Sequence, residues 1–316
     1  MTTTGGPPIP PPPAEGLTTT RTAPRKLTKA ELRAAEAKTR LTSPWASGIA
    51  IVIAILWTVP TFGVLLSSIR PQGSIQSSGW WSWFTNPEFT IDNYDQVLYG
   101  TGTAFSTFFI NSVTIALPAA LIPVTLALLA AYAFAWIEFR GRDLLFVAVF
   151  SLQIVPLQIA LIPLLREYVN WGLAGSFWTV WISHSIFALP LAIFLLHNFM
   201  KDIPPSLIEA ARVDGAGHVK IFFRVLLPLL VPAIAAFGIY QFLWVWNDLL
   251  VALTMAGGTP NVAPLTVRLA ELSGSRGADW HLLTAGALVA IVVPLIVFLS
   301  LQRFFVRGML SGSVKG

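Results

Sequence analysis

The sequence predicts an all-α membrane protein with six spans, and three observations carry that reading. Only 11% of its 316 residues are charged and 55% are hydrophobic, with a mean hydropathy of +0.70. A soluble domain carries roughly 25% charged residues. Six stretches are apolar over the about 20 residues that a bilayer crossing needs. Their apolar runs are continuous, which suits helices, whereas barrel strands alternate.

Residues 1–47 stand apart. MTTTGGPPIPPPPAEGLTTT is rich in Pro, Thr and Gly, cannot build a core and reads as a disordered tail. A polyproline II ligand is the other reading of its proline run. In LTKAELRAAEAKTR, residues 27–40, Thr28 and Glu31 have capping-box spacing, which predicts a short surface helix. The first oily run starts too late for a signal peptide. The six expected spans lie near 48–69, 105–136, 144–165, 176–199, 228–256 and 282–305. They define a six-span domain, 48–307, followed by a short tail, 308–316. Prolines inside the second, third, fourth and sixth are tolerable where neighbouring helices re-satisfy the freed carbonyls.

An even number of spans puts both termini on one side. Sixteen of the twenty Lys and Arg fall in the two termini and in the loops after the second and fourth spans. The positive-inside rule places these segments in the cytoplasm of a multi-pass inner-membrane protein. It also explains the +5 net charge without a nucleic-acid partner. The opposite side carries Arg70, Arg166, Arg268 and Arg276. Its longest loop contains GWWSWF, residues 79–84, which suits an interfacial aromatic belt or, alternatively, a sugar-stacking surface. No cysteine is present, so disulfide and thiolate chemistry are excluded. The four histidines are scattered, no phosphate-cradling Gly-rich loop occurs, and no metal or catalytic cluster is discernible. The chain reads as a non-enzyme that binds no cofactor.

One charged segment interrupts the oily chain, EAARVDGAGHVKIFFRVLLP at 209–228. Ser206 and Glu209 form a second capping-box pattern after Pro205. A helix over 206–213 would present Leu207, Ala210 and Ala211 on one side. Asp214-Gly215 would end it, with Gly free to turn left-handed. A second helix would carry Val219, Phe222, Phe223 and Leu226 on an oily face. The pair is either a rigid protrusion or an amphipathic connector resting on lipid.

This segment resembles the EAA motif of ABC-importer permeases, through Glu209-Ala210-Ala211, then Gly215, then Leu227-Pro228. Val225 stands where that pattern favours Ile. FINSVTIALPAALIPVTLALLAAYAFA, FLWVWNDLL and the carboxyl-terminal DWHLLTAGALVAIVVPLIVFLSLQRFFVRGMLSGSVKG resemble the carbohydrate branch. The resemblance covers nearly everything after residue 48.

The resemblance implies a type I importer permease with a cytoplasmic coupling helix. Glu209, Ala210, Ala211, Asp214 and Gly215 would dock in a cleft of a partner ATPase dimer, which would hold the ATP and Mg. The further partners implied are a second permease subunit, an extracytoplasmic solute-binding protein, membrane lipid and a carbohydrate, an α-glucoside or other oligosaccharide. The ending resembles the smaller permease of a maltose-type pair, whose tail reaches between the ATPase subunits. Here that role falls to Gly308, Ser311 and Gly312. Gln153, Gln158, His184, Gln241, Asn247 and Asp248 are polar groups inside expected spans, hence candidates for the substrate path, with Trp244 and Trp246 nearby. Helix-to-helix hydrogen bonding is their other reading. An ion-coupled secondary transporter would want more mid-membrane charge and an internal repeat, and a membrane-embedded structural subunit is a further alternative.

Overall fold

The computed structural model describes residues 44–100, 105–274, 277 and 279–313, with side chains described through Gln302. The expected tail and the 27–40 helix lie outside the described residues, except for 44–47, which open the first helix. No strand occurs among the described residues. In chain order the helices are α1 (Pro44–Ser68), α2 (Gln72–Ser77), α3 (Asp92–Tyr99), α4 (Phe105–Trp136), α5 (Arg142–Ser151) and α6 (Leu157–Asn170). They continue with α7 (Phe177–Lys201), α8 (Pro205–Val213), α9 (His218–Trp246), α10 (Leu250–Ala256), α11 (Leu265–Ser273) and α12 (Trp280–Ser313). By contacts the chain divides at Pro60, inside α1. Of the first unit, Pro44–Val59 is described; it exposes Ile49, Leu56 and Trp57. The second unit holds every later element.

Five helices, α1, α4, α7, α9 and α12, are long and apolar enough to cross a membrane. The third expected span, near 144–165, is not one rod. A 3-10 turn over Leu152–Ile154 follows α5, and the axis then bends by 100° into α6. Pro156 supplies no N–H, and its ring forces the preceding residue out of the helical region. Val155 accordingly sits at φ −70, ψ 119.

The fifth span also differs from expectation. It ends at Trp246, and 250–256 forms the separate α10. Asn247 and Asp248 therefore occupy a break, because short polar side chains compete for backbone hydrogen bonds. At the carboxyl end, the last helix runs into the expected tail, and the backbone is helical through Gly308, Ser311 and Gly312 to Ser313.

The centre of the second unit is α4 against α7, with α9 packed on both and α12 on α9. On α4 the buried residues Ala119, Pro123, Ala127, Ala131 and Ala135 recur every four positions. On α7 the matching ridge is Ala188, Ala192, Leu196 and Met200. Small residues in such a stripe let backbones approach closely, which in lipid replaces the hydrophobic drive to associate.

Three kinks bind these helices together. Proline cannot donate to the carbonyl four residues before it. Pro118 frees Thr114, Pro123 frees Ala119, and Pro294 frees Ala290. Each freed carbonyl accepts an N–H from another helix. Trp181 Nε1 reaches Thr114 at 3.0 Å, Gln241 Nε2 reaches Ala119 at 3.2 Å, and Trp246 Nε1 reaches Ala290 at 3.2 Å.

The loop between α1 and α4 is organised by Arg70, which is 3% exposed. Its guanidinium donates to the carbonyls of Gly79 (3.0 Å) and Ser74 (3.2 Å) and to the hydroxyls of Ser78 (2.8 Å) and Ser82 (3.0 Å). Asn93 Nδ2 donates to the carbonyls of Ser68 and Arg70, each at 2.8 Å. Trp80–Phe84 is a 3-10 turn in this loop, with Trp81 and Phe84 exposed.

Trp246→Phe keeps a ring but leaves the Ala290 carbonyl empty. Interhelical hydrogen bonds in membranes contribute about 0.6–1.7 kcal/mol, so the variant should unfold about 1 kcal/mol more easily in detergent. Trp57→Phe, at an 80% exposed position, should leave stability unchanged. Equal midpoints for the two variants would refute the pinning role.

Candidate functional site

Two regions carry chemistry: the charged loop between α7 and α9, and a polar knot with its adjoining cavity beside the α5–α6 break.

The charged loop begins where Pro204 and Pro205 pre-set the backbone for a helix. Pro205 is the first helical residue, and no side chain caps the end. The expected Ser206–Glu209 capping box does not form, because proline starts the helix one residue earlier and leaves Ser206 inside it. Along α8, Ile208 is buried at 2% exposure and joins Met200, Ile203, Ile221, Phe222 and Leu226 in one apolar cluster. Leu207, Glu209 and Ala210 are exposed and Ala211 is half-buried. Leu207 and Ala210 thus lie on an open side of α8, whereas Ala211, expected beside them, packs with Ile208 against that cluster.

Asp214 and Gly215 are exposed and end the helix as expected. Gly215 has φ 75. Its N–H donates to the Arg212 carbonyl at 3.0 Å, and the Ala216 N–H donates to that of Ala211 at 2.9 Å. This is a Schellman closure, in which the left-handed residue turns the chain back over the last turn. The following helix does not have the single oily face expected of it. A π turn over Phe222–Leu226 buries Phe222 and Leu226 but leaves Val219 and Phe223 72% and 58% exposed. Tyr132 on α4 ties this segment down, its hydroxyl 2.7 Å from His218 Nδ1.

The six polar residues expected along a path do not converge on one place. His184 is fully buried on α7. Its Nδ1 donates to the Val180 carbonyl at 2.9 Å. Its Nε2 lies 3.4 Å from Asp248 Oδ2, outside hydrogen-bond geometry but within ion-pair range. Asp248 carboxylate oxygens also accept the N–H groups of Val251 (3.3 Å) and Ala252 (2.8 Å), so the side chain caps α10. Gln241 is 1% exposed and holds the Ala119 carbonyl. Asn247 bonds its own helix at the Leu243 carbonyl, 2.8 Å away. Gln158 is exposed on α6.

Gln153 alone of the six opens onto the 520 Å³ cavity at the α5–α6 break, a volume in the range of ligand sites. Ile186 and Pro190 of α7 and Tyr240 and Trp244 of α9 complete the useful lining. Trp244 connects cavity and knot, since its ring meets that of His184 edge-on at 5.3 Å. Sequence reasoning passed over Tyr240 and Pro190. Their signal was the four-residue step from Tyr240 to Trp244 and from Ile186 to Pro190, which puts each pair on one helix face.

A multi-pass bundle with a rigid charged loop between its fourth and fifth apolar segments defines a membrane transport subunit. Residues 123–311 match the family described as "Binding-protein-dependent transport system inner membrane component", and the chain belongs to that family. It is 54% identical over 269 residues to the osmoprotective compounds uptake permease protein GgtD of Synechocystis sp., covering 84% of this chain and 90% of that protein. It is 48% identical to the alpha-glucoside transport system permease protein AglG of Rhizobium meliloti, over 80% of this chain and 67% of that protein. Against the melibiose/raffinose/stachyose import permease protein MelC of Bacillus subtilis the identity is 31%, over 85% and 95%. A subunit in the crystal structure of a bacterial ABC transporter that imports alginate shares the fold. Its TM-score is 0.69 at 19% identity, over 89% of this chain and 99% of that one.

Breaking the knot should be costly from either side. Leaving a buried polar group without its partner costs about 1–3 kcal/mol. His184→Gln and Asp248→Asn should each destabilise the protein, and the double variant should cost less than the two losses added. Additive losses in detergent unfolding would show that the two groups do not interact.

Proposed function

We propose that this chain is one permease subunit of an ATP-driven carbohydrate importer, an α-glucoside or related oligosaccharide being its cargo. The observation that carries the reading is α8. A single buried residue, Ile208, anchors it, and Glu209, Ala210 and Asp214 stay exposed beside a turn set by Gly215. Such a helix is a rigid knob joined by α9 to the bundle. It suits docking in a cleft of an ATPase subunit on the cytoplasmic side, where ATP and Mg would be bound and hydrolysed. Closure of an ATPase dimer would push the knob, and the apolar cluster behind Ile208 would carry the displacement into α4, α7 and α9.

Several features support the assembly around it. The Lys and Arg distribution favours cytoplasmic termini in an inner-membrane protein. The relatives are named as permeases of uptake systems for osmoprotective compounds, alpha-glucosides and melibiose, raffinose or stachyose. One related structure, of TM-score 0.58, is of an alginate transporter bound to a periplasmic protein carrying an alginate pentasaccharide. A second permease subunit, an ATPase dimer and an extracytoplasmic solute-binding protein are the partners this reading requires. Gly308, Ser311 and Gly312 would extend towards the ATPase pair. The substrate path would run past the cavity at Gln153, with Gln158 at its margin. His184, Gln241, Asn247 and Asp248 would support its walls.

Glu209→Lys should abolish uptake while leaving the complex in the membrane, since it places a positive charge where attraction to a basic cleft is expected. Uptake per inserted complex, measured with radiolabelled disaccharides, reads the outcome. Normal uptake by that variant removes α8 as the docking element. Gly215→Val forces a β-branched residue to φ 75, a strain of about 1–3 kcal/mol. In reconstituted vesicles it should lower uptake more than ATP hydrolysis. An unchanged ratio would mean that the turn does not set the coupling.

A further inference from the structure

We infer that the cavity at the α5–α6 break is a hydroxyl-reading subsite for a sugar, with the backbone carbonyl of Ile186 as its fixed acceptor. The inference rests on the carbohydrate reading above and adds that this subunit itself contacts the cargo.

Pro190 cannot donate to the Ile186 carbonyl, four residues earlier on α7. At Pro118, Pro123 and Pro294 the corresponding carbonyl is filled by a side chain from another helix, whereas at Pro60, Pro163 and Pro232, none of which lines this cavity, no side-chain donor among the described residues fills it. Among the described residues no side-chain donor reaches Ile186. Ile186 and Pro190 both line the cavity, and Ile186 is 46% exposed. An acceptor without a partner is costly within a membrane protein unless it meets water or a ligand hydroxyl.

The other lining residues supply what a sugar needs. Gln153 offers an amide with both a donor and an acceptor. Tyr240 and Trp244 lie four residues apart on α9 and line the same cavity. Aromatic faces complement the apolar C–H faces of a sugar ring, while the rim groups read its hydroxyls. Trp244 is held from behind by the edge-on contact with His184, itself locked between Val180 and Asp248. That arrangement pre-organises the ring, so little ordering is needed on binding. The chemistry fits an uncharged polyhydroxyl ligand: among the described residues no Lys, Arg, Asp or Glu lines the cavity.

The test uses the complete transporter, purified without its soluble binding protein, and radiolabelled maltose, trehalose and sucrose. Pro190→Ala restores an N–H that occupies the Ile186 carbonyl, and Gln153→Leu removes the amide. Losing one hydrogen bond weakens binding by about two- to tenfold. Each variant should therefore bind the sugar that the transporter carries about two- to tenfold more weakly. Relative uptake of the three sugars should change as well, which a merely structural defect would not do. Trp57→Phe should match the unaltered protein. If both variants bind and rank the three sugars as the unaltered transporter does, the subsite is wrong and the transport reading stands. Equal loss for every sugar would likewise overturn it, as the mark of a damaged helix. An intact transporter that carries none of the sugars but imports another class of solute overturns the carbohydrate reading itself.

Discussion

A backbone carbonyl inside a bilayer must have a donor, and much of this structure follows from how that demand is met at its prolines. With no water in the hydrocarbon region, each orphaned carbonyl is costly. Trp181, Gln241 and Trp246 meet the demand at Thr114, Ala119 and Ala290. The same three bonds join α4 to α7, α4 to α9, and α9 to α12. The kinks are thus the joints of the bundle, and the alanine stripe of α4 brings the backbones close enough for the donors to reach.

At other prolines no side chain bridges the helix. At Pro156 the helix gives way and the axis bends by 100°. At Pro190 the helix continues, and the carbonyl that Pro190 cannot fill belongs to a cavity-lining residue. The break and the unfilled kink lie side by side, together with Gln153 and the aromatic pair on α9. Behind them, His184 and Asp248 spend their polarity on the protein itself, fixing Trp244 and starting α10.

The charged loop obeys a different constraint. It projects from the bundle and needs rigidity without a core of its own. Two prolines start α8, a left-handed glycine stops it, and Ile208, with Ala211 beside it, ties it to the apolar cluster beneath. Tyr132 and His218 add a polar link from α4 to the segment that leads into α9. The cluster that holds α8 is shared with α4, α7 and α9.

The sequence by itself determined the all-α class, the apolar segments and the position of the charged loop. It also determined the Gly215 turn, because only glycine takes that backbone region without cost. All these depend on hydrophobic runs and local backbone chemistry. The tertiary structure decided the rest. Pro118 and Pro156 look alike in the sequence, each a proline in an oily run. One lies in a continuous helix whose freed Thr114 carbonyl is taken by Trp181 of another helix; at the other the helix breaks. Gln241 and Gln153 likewise look alike, yet one is buried against Ala119 and the other faces the cavity. Their roles differ because a hydrogen bond between helices depends on which face meets which neighbour, and periodicity along one chain segment holds no record of the neighbour.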